Sequence, residues 1–171
     1  MENKNQIKEN DIAVVIDKPD FNENDKSSDK TIKMFHKIII IKNAKNISIT
    51  GSENTIIIPQ NATIYELTVH GELNSIINFN NKIVITIVGC TNNISYLTNT
   101  NKIYTALIIQ GNYNNITNDG TPMISTIIGY QNNYRGVKGD RLIYYDTENE
   151  NIKIKEEVIE KDYRPDIYYR V

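Results

Sequence analysis

The middle of the chain repeats a short alternating pattern of aliphatic and other residues, each time followed by a glycine. The residue two positions before the glycine is aliphatic in all five repeats, and the residue four positions before it is aliphatic in four. The repeats end at Gly51, Gly71, Gly89, Gly111 and Gly129. Alternation with a period of two is typical of a strand that buries one face. The pattern therefore predicts five short strands, each ending at a glycine.

A second regular feature follows every glycine. An asparagine lies three positions after it in all five repeats, and an isoleucine lies five positions after it in four. The asparagines are Asn54, Asn74, Asn92, Asn114 and Asn132. Glycine permits the positive φ of a sharp corner, and asparagine also adopts left-handed or tight-turn conformations and bonds nearby backbone. We therefore expect a corner of glycine and asparagine that leads into a second strand, whose isoleucine points inwards.

The repeat length predicts how these strands assemble. Successive glycines are 20, 18, 22 and 18 residues apart, and a unit of this size buries its apolar face only when copies are stacked. The prediction is an all-β protein, a short single-stranded parallel β-solenoid of five to six coils in residues 31–136, taken as a right-handed β-helix, with a C-terminal β-hairpin. Stacking would place equivalent residues ~4.8 Å apart, so that the asparagines form a column of bonded amides.

The predicted core consists of the inward aliphatic residues of both strands. They are Ile47, Ile49, Ile56, Leu67, Val69, Ile76, Ile85, Ile87, Ile94, Leu107, Ile109, Ile116 and Ile127. An antiparallel sandwich or barrel is the alternative, because it also contains short strands and regular turns. It explains the alternation but not the fixed relative positions of glycine, asparagine and isoleucine.

This repeat pattern resembles β-solenoid repeat families of unknown function from bacterial proteins. More weakly, it is similar to the β-helical C-terminal domain of cyclase-associated proteins, which bind actin. The likeness covers about half of the chain; it implies the fold and transfers no functional residues. The composition, with 32 Ile and 25 Asn, resembles that of proteins from AT-rich large DNA viruses of amoebae and their satellites, which would imply a virion-associated role.

The two ends differ from the repeats. Residues 1–30 are polar and charged, except for a strand predicted at 12–16, and we expect this segment to be partly disordered or to cap the first coil. Residues 137–171 are predicted to form a hairpin, with strands at 142–145 and 152–155, and a tail that caps the last coil or contacts another subunit. Tyrosine and arginine are enriched at interfaces. The candidate interface residues are Tyr144, Tyr145, Tyr163, Tyr168 and Tyr169.

The repeats contain few residues suited to catalysis. The carboxylates between residues 44 and 134 are Glu53, Glu66, Glu72 and Asp119. Glu53 and Glu72 lie at neighbouring corners, where a pair of solvated turn residues is expected and a weak cation site is the alternative. His70 is expected on the surface, and neither histidine lies near Cys90 in sequence. We therefore predict no cofactor, no metal and no catalytic residue.

Charge and hydropathy narrow the range of partners. The net charge of −2 lacks the basic surface of a nucleic-acid-binding protein. No apolar run is long enough to span a bilayer, and the N-terminus lacks the apolar segment of a signal peptide. The expectation is an intracellular or virion protein that contacts neither nucleic acid nor membrane.

The function that follows is a non-catalytic structural or interaction protein. Its outward faces are predicted to carry Thr, Ser, Asn, Gln and a few Tyr, which would form a stiff polar surface for self-assembly as a homo-oligomer or for a protein partner. One alternative is a carbohydrate-binding or carbohydrate-processing module, for which an aromatic stripe would come from Tyr65, Tyr96, Tyr104 and Tyr113. The other is a binding domain like that of the actin regulators.

Overall fold

The computed structural model of the chain describes residues 13–17, 30–98, 105–146, 153–160 and 169–170. These residues form strands connected by short turns, and no helix occurs among them. The strands are β1 (Ala13–Asp17), β2 (Lys30–Lys33), β3 (Ile38–Asn43), β4 (Asn46–Thr50), β5 (Thr55–Ile58), β6 (Glu66–His70), β7 (Ser75–Asn78), β8 (Val84–Val88), β9 (Asn93–Tyr96), β10 (Ala106–Gln110), β11 (Asn115–Asn118), β12 (Ile124–Ile128), β13 (Asn133–Arg135), β14 (Arg141–Asp146), β15 (Lys153–Val158) and β16 (Tyr169–Arg170).

The strands form two eight-stranded sheets. Sheet A has the order β1-β3-β5-β7-β9-β11-β13-β16, and sheet B has the order β15-β14-β12-β10-β8-β6-β4-β2. From β2 to β13 the chain alternates between the sheets, so each of six coils contributes one strand to each sheet. All pairings between successive coils are parallel. The predicted β-solenoid is therefore confirmed, and the antiparallel sandwich or barrel is wrong.

The ends of the stack are formed differently. At the N-terminal end, β1 pairs in parallel with β3 and extends sheet A by one strand. The first coil, β2 and β3, lacks the glycine, and Met34 occupies its place. At the C-terminal end, β14 continues sheet B in parallel, and β15 turns back against it as the second strand of the predicted hairpin. The short β16 pairs antiparallel with β13 in sheet A.

The core lies between the two sheets, where like residues are stacked on like. Val69 pairs with Ile49 in the preceding coil and with Ile87 in the following one, and Ile109 continues the same column. All thirteen residues of the predicted core are 4% exposed or less. Truncation of one such isoleucine to alanine costs about 2–5 kcal/mol in a packed core.

The fifth repeat departs from the pattern by a compensating pair of changes. Ser125 replaces the aliphatic residue four positions before the glycine, and Tyr134 replaces the isoleucine five positions after it. Both are fully buried, and Ser125 Oγ donates a 3.5 Å hydrogen bond to the Tyr134 hydroxyl. The small side chain leaves room for the large one, so the core keeps its volume.

The glycine at each corner is required by two constraints. Gly89 has φ +149°, in a region that L side chains rarely adopt, and the other four repeat glycines have φ between 144° and 151°. A Cβ at Gly89 would also overlap the carbonyl oxygen of Gly71 in the preceding coil. The corner therefore excludes any side chain, as the sequence pattern predicted.

The asparagines form the predicted column. Asn92 Nδ2 donates to Asn114 Oδ1 over 3.1 Å, and Asn92 Oδ1 accepts hydrogen bonds from the backbone nitrogen and from Nδ2 of Asn74 at 2.9 and 3.2 Å. The five asparagines are 1% exposed or less. Each carboxamide thus makes the hydrogen bonds that the buried polar groups of its neighbours would otherwise make with water.

The left-handed conformation that was one of the two alternatives for these asparagines is wrong. The left-handed residue lies one position before each asparagine, two residues after the glycine, and at the equivalent position of the first coil. Its φ is between 54° and 60° at His36, Glu53, Leu73, Thr91, Tyr113 and Gln131. This residue makes the turn, so the asparagine that follows is free to direct its side chain into the column.

Candidate interaction surfaces

The outward side of sheet B changes from polar to apolar along the stack. We call the outward residues of one strand its row. The row of β4 is Asn46, Ser48 and Thr50, and the row of β6 is Glu66, Thr68 and His70. From β8 onwards the outward residues are mostly aliphatic. We call six of these aliphatic residues, from β8 to β14, patch B: Val84, Val88, Ile108, Ile124, Ile128 and Ile143. Ile124 and Ile128 are each 38% exposed, so patch B is accessible.

Sheet A shows the opposite gradient. Its outward rows contain aliphatic residues in the first coils and only polar residues in the last coils. We call the aliphatic ones patch A: Val15, Ile38, Ile40, Ile57 and Ile77. Val15 is 52% exposed and Ile38 is 39% exposed. The two patches therefore lie on opposite faces and toward opposite ends of the stack.

The prediction that the outward faces are polar is wrong for these two regions. The sequence pattern does not predict patches A and B, because where two aliphatic residues are adjacent the pattern does not show which one faces inwards. One signal was present: β8 and β10 are almost continuous aliphatic runs rather than alternating ones. Such runs indicate strands that are covered on both faces.

The polar end of sheet A carries a second, exposed asparagine ladder. Asn133 Nδ2 donates to Asn115 Oδ1 over 2.9 Å, and Asn115 Nδ2 donates to Asn93 Oδ1 over 3.2 Å. These residues follow directly after the buried asparagines of the same coils. The outer ladder faces solvent, where water competes for the same bonds.

A buried carboxylate closes the C-terminal end of the core. Asp140 is fully buried and accepts hydrogen bonds from Asn118 Nδ2 at 2.8 and 3.0 Å, from the Met123 and Val137 backbone nitrogens at 2.8 and 3.0 Å, and from the Tyr134 hydroxyl at 2.9 Å. Burial raises the pKa of Asp140, and these donors act in the opposite direction. Sequence analysis missed this residue, because its donors come from separate segments.

Tyr134, which donates to this carboxylate, and Tyr96 are also buried. Burial raises the pKa of Tyr96 and of Tyr134 well above the usual value for a phenol, so both are neutral. The Tyr96 hydroxyl has no hydrogen-bond partner among the described residues. Because Tyr96 is only 1% exposed, it cannot belong to a surface stripe for carbohydrate. Tyr65 and Tyr113 are exposed, and Tyr104 lies outside the described residues.

The candidate interface tyrosines are placed in different environments. Tyr144 packs against the core, and its hydroxyl donates to Glu157 Oε1 over 2.7 Å. Tyr145 is half-buried on the outward side of β14, next to patch B. Tyr163 and Tyr168 lie outside the described residues, and Tyr169 belongs to β16. Their role in an interface stays a prediction.

The remaining titratable residues of the repeats lie on the surface. His36 Nδ1 lies 2.9 Å from Glu53 Oε2, and Asp119 Oδ1 lies 3.6 Å from the Arg135 guanidinium. His70 is exposed, and Cys90 is a half-buried free thiol at a corner. Within the described ranges, no three His, Cys, Asp or Glu side chains are close enough to hold a metal ion.

Comparisons of the chain with protein-family models, with curated proteins and with solved structures found no match. Among the described residues there is no helix of the length and apolarity needed to cross a membrane. The outer patches and the buried carboxylate are therefore interpreted from their own chemistry.

Proposed function

We propose that this chain is a non-catalytic structural protein that assembles with copies of itself through the outer faces of its solenoid. The observation that carries the proposal is the pair of aliphatic patches on the outward sides of sheets A and B. Contiguous exposed apolar surface of this kind is characteristic of interaction sites in proteins.

The rigidity of the scaffold supports this role. The buried asparagine column bonds each corner to the next, with side-chain and backbone donors at 2.9–3.2 Å. A surface fixed in this way loses little conformational entropy when it is covered. The outward side chains are therefore arranged before any partner binds.

The position of the Asp140 carboxyl, whose pKa is raised, also favours a structural role. Asp140 is enclosed by donors from the last coils and lies inside the core, away from solvent. Its hydrogen bonds join Asn118, Met123, Tyr134 and Val137, so the carboxylate connects the final turns of the stack.

Sedimentation velocity on the full chain tests the proposal. Across about two decades of concentration, we expect the sedimentation coefficient to increase as copies associate. A matched control carries both Ile77→Lys and Ile108→Lys, which interrupts patch A and patch B at half-buried outward positions. We expect this variant to keep the wild-type far-UV circular dichroism and to remain monomeric. A wild-type chain that stays monomeric throughout the range would contradict the proposal.

A further inference from the structure

We infer that the partner of patch B is the same face of a second copy, related by a two-fold axis parallel to the solenoid axis. This inference rests on the proposed self-assembly and identifies the surface and its orientation. The whole outward side of sheet B takes part, from β2 to β15. Three properties of the face support it: its area, its row sequences and its charges.

The area excludes a contact through patch B alone. Eight strands spaced ~4.8 Å apart and about five residues wide give a flat footprint of about 600 Å². Two whole faces therefore bury about 1,200 Å², which is at the lower limit for a stable, specific interface. The aliphatic half by itself provides about half of that area, so a stable pair needs the whole face.

The direction of the axis follows from the polarity gradient. A two-fold axis along the stack keeps each coil level with the same coil of the second copy, so aliphatic rows face aliphatic rows. A two-fold axis along the strands reverses one stack, and whole-face overlap would then place the aliphatic rows against the polar rows of β4 and β6. Desolvating polar groups against aliphatic ones is unfavourable.

The outward rows are self-complementary under the chosen axis. It places the first outward residue of each strand opposite the last outward residue of the same strand in the second copy. The row of β12 then brings Ile124 against Ile128, and the row of β8 brings Val84 against Val88. Ile108, in the middle of its row, meets Ile108 of the second copy.

The charges on this face are complementary in the same orientation. Glu66 begins the outward row of β6, and His70 ends it; both are exposed. The axis therefore places Glu66 of each copy opposite His70 of the other, so that the imidazole donates to the carboxylate. Arg141, at the other end of the face, is already paired with Glu156 of its own chain. Glu156, in the middle of the β15 row, meets Glu156 of the second copy on the axis, and Arg141 of the same chain offsets each of these charges.

The first test compares lysine substitutions at two half-buried outward positions by sedimentation velocity. Ile108→Lys places two ammonium groups against each other on the axis, and we expect the association constant to fall at least tenfold. Thr117→Lys introduces the same side chain on the outward side of sheet A, outside patch A, and we expect it to leave the association constant within about twofold of wild type. Thermal melting of each variant verifies that the solenoid remains folded.

The second test uses exposed polar residues, which the fold tolerates. Glu66→Lys and His70→Glu each remove the complementary pair twice per dimer, and we expect each to lower the association constant about fivefold. The double variant restores opposite charges at both positions, and we expect it to associate within about twofold of wild type.

The outcomes separate the inference from the proposed function. If the wild type associates and Ile108→Lys does not weaken it, or if Thr117→Lys dissociates it instead, the inference is overturned and self-assembly stands. A double variant no better than its singles rejects the two-fold orientation. A wild type that never associates overturns both.

Discussion

Asn92 donates a hydrogen bond from Nδ2 to the backbone carbonyl oxygen of Gly71, in the coil before it, over 3.1 Å. Asn92 Nδ2 also donates to Asn114 in the next coil, and Asn92 Oδ1 accepts two hydrogen bonds from Asn74 in the previous coil. One carboxamide therefore connects three successive coils. The glycine carbonyl and the asparagine amide depend on each other, since the missing Cβ is what allows this close approach.

The first prediction concerns this donor. Asn92→Asp keeps the shape of the side chain but replaces the NH₂ group with an oxygen that faces two acceptors. We expect the free energy of unfolding to fall by ~3 kcal/mol or more, because a buried charge then faces two acceptor oxygens that have lost their donor. Urea denaturation at neutral pH measures the loss.

The adjacent Asn93 provides the matched control for this change. Asn93 belongs to the exposed ladder, and its Oδ1 only accepts a bond from Asn115. Asn93→Asp keeps that acceptor in solvent, so we expect a change within about 0.5 kcal/mol. Equal effects at the two positions would show that the buried column does not contribute more than the outer one.

The second prediction concerns the corner glycine. Gly89→Ala introduces a Cβ at φ +149° that overlaps the Gly71 carbonyl oxygen. We expect a loss of about 2–4 kcal/mol, since the backbone of two coils must move apart. Cys90→Ala at the next position is expected to change stability by less than about 0.5 kcal/mol. Thermal unfolding compares the two, and a stable Gly89→Ala variant would argue against the close approach.

The third prediction is a gain in stability at the left-handed position. Thr91 has φ +59°, which is unfavourable for a β-branched residue. Thr91→Gly is therefore expected to raise the free energy of unfolding by about 0.5–1 kcal/mol, as strain is relieved. Thr86→Gly, on the extended strand β8, is expected to lower it by about the same amount. Chemical denaturation of the two variants should give opposite signs; a loss for both would contradict the role of strain.

The fourth prediction is a dependence on pH through Asp140. Its pKa is raised in the folded chain from the ordinary value of 3.8, chiefly by burial. The folded state therefore binds the proton more tightly than the unfolded state. The stabilisation is fully present below pH 3.8 and is lost as the pH rises through the folded pKa.

The variant Asp140→Asn isolates this contribution. It cannot titrate, so the difference in unfolding free energy between wild type and variant should decrease as the pH rises from about 3.5 towards neutrality. Urea titrations at a series of pH values measure this difference. A difference that is independent of pH, or that grows with it, would contradict the assignment.

The repeat positions could be predicted because stacking imposes the same environment on every coil. Gly51, Gly71, Gly89 and Gly111 lie over one another, so each faces the same steric limit and the same residue type is selected. Asparagine is selected in every coil for the same reason, since each coil needs an amide that both donates and accepts a hydrogen bond.

Other features depend on contacts that are remote in sequence. The donors of Asp140 come from Asn118, Met123, Tyr134 and Val137, and no local pattern relates these positions. The left-handed position varies from glutamate to leucine to tyrosine, because its side chain points to solvent and is not selected by type. Patch B was hidden in aliphatic runs, where only the register of the sheets assigns inside and outside.

By itself, the sequence determined the coil, its corner and its column of asparagines, because these features recur with a period of about 20 residues and are therefore visible as a pattern. The tertiary structure decided where the aliphatic rows are exposed and how the last coil is closed. Those features depend on which side of a strand faces the core and on side chains that meet only after the stack has formed.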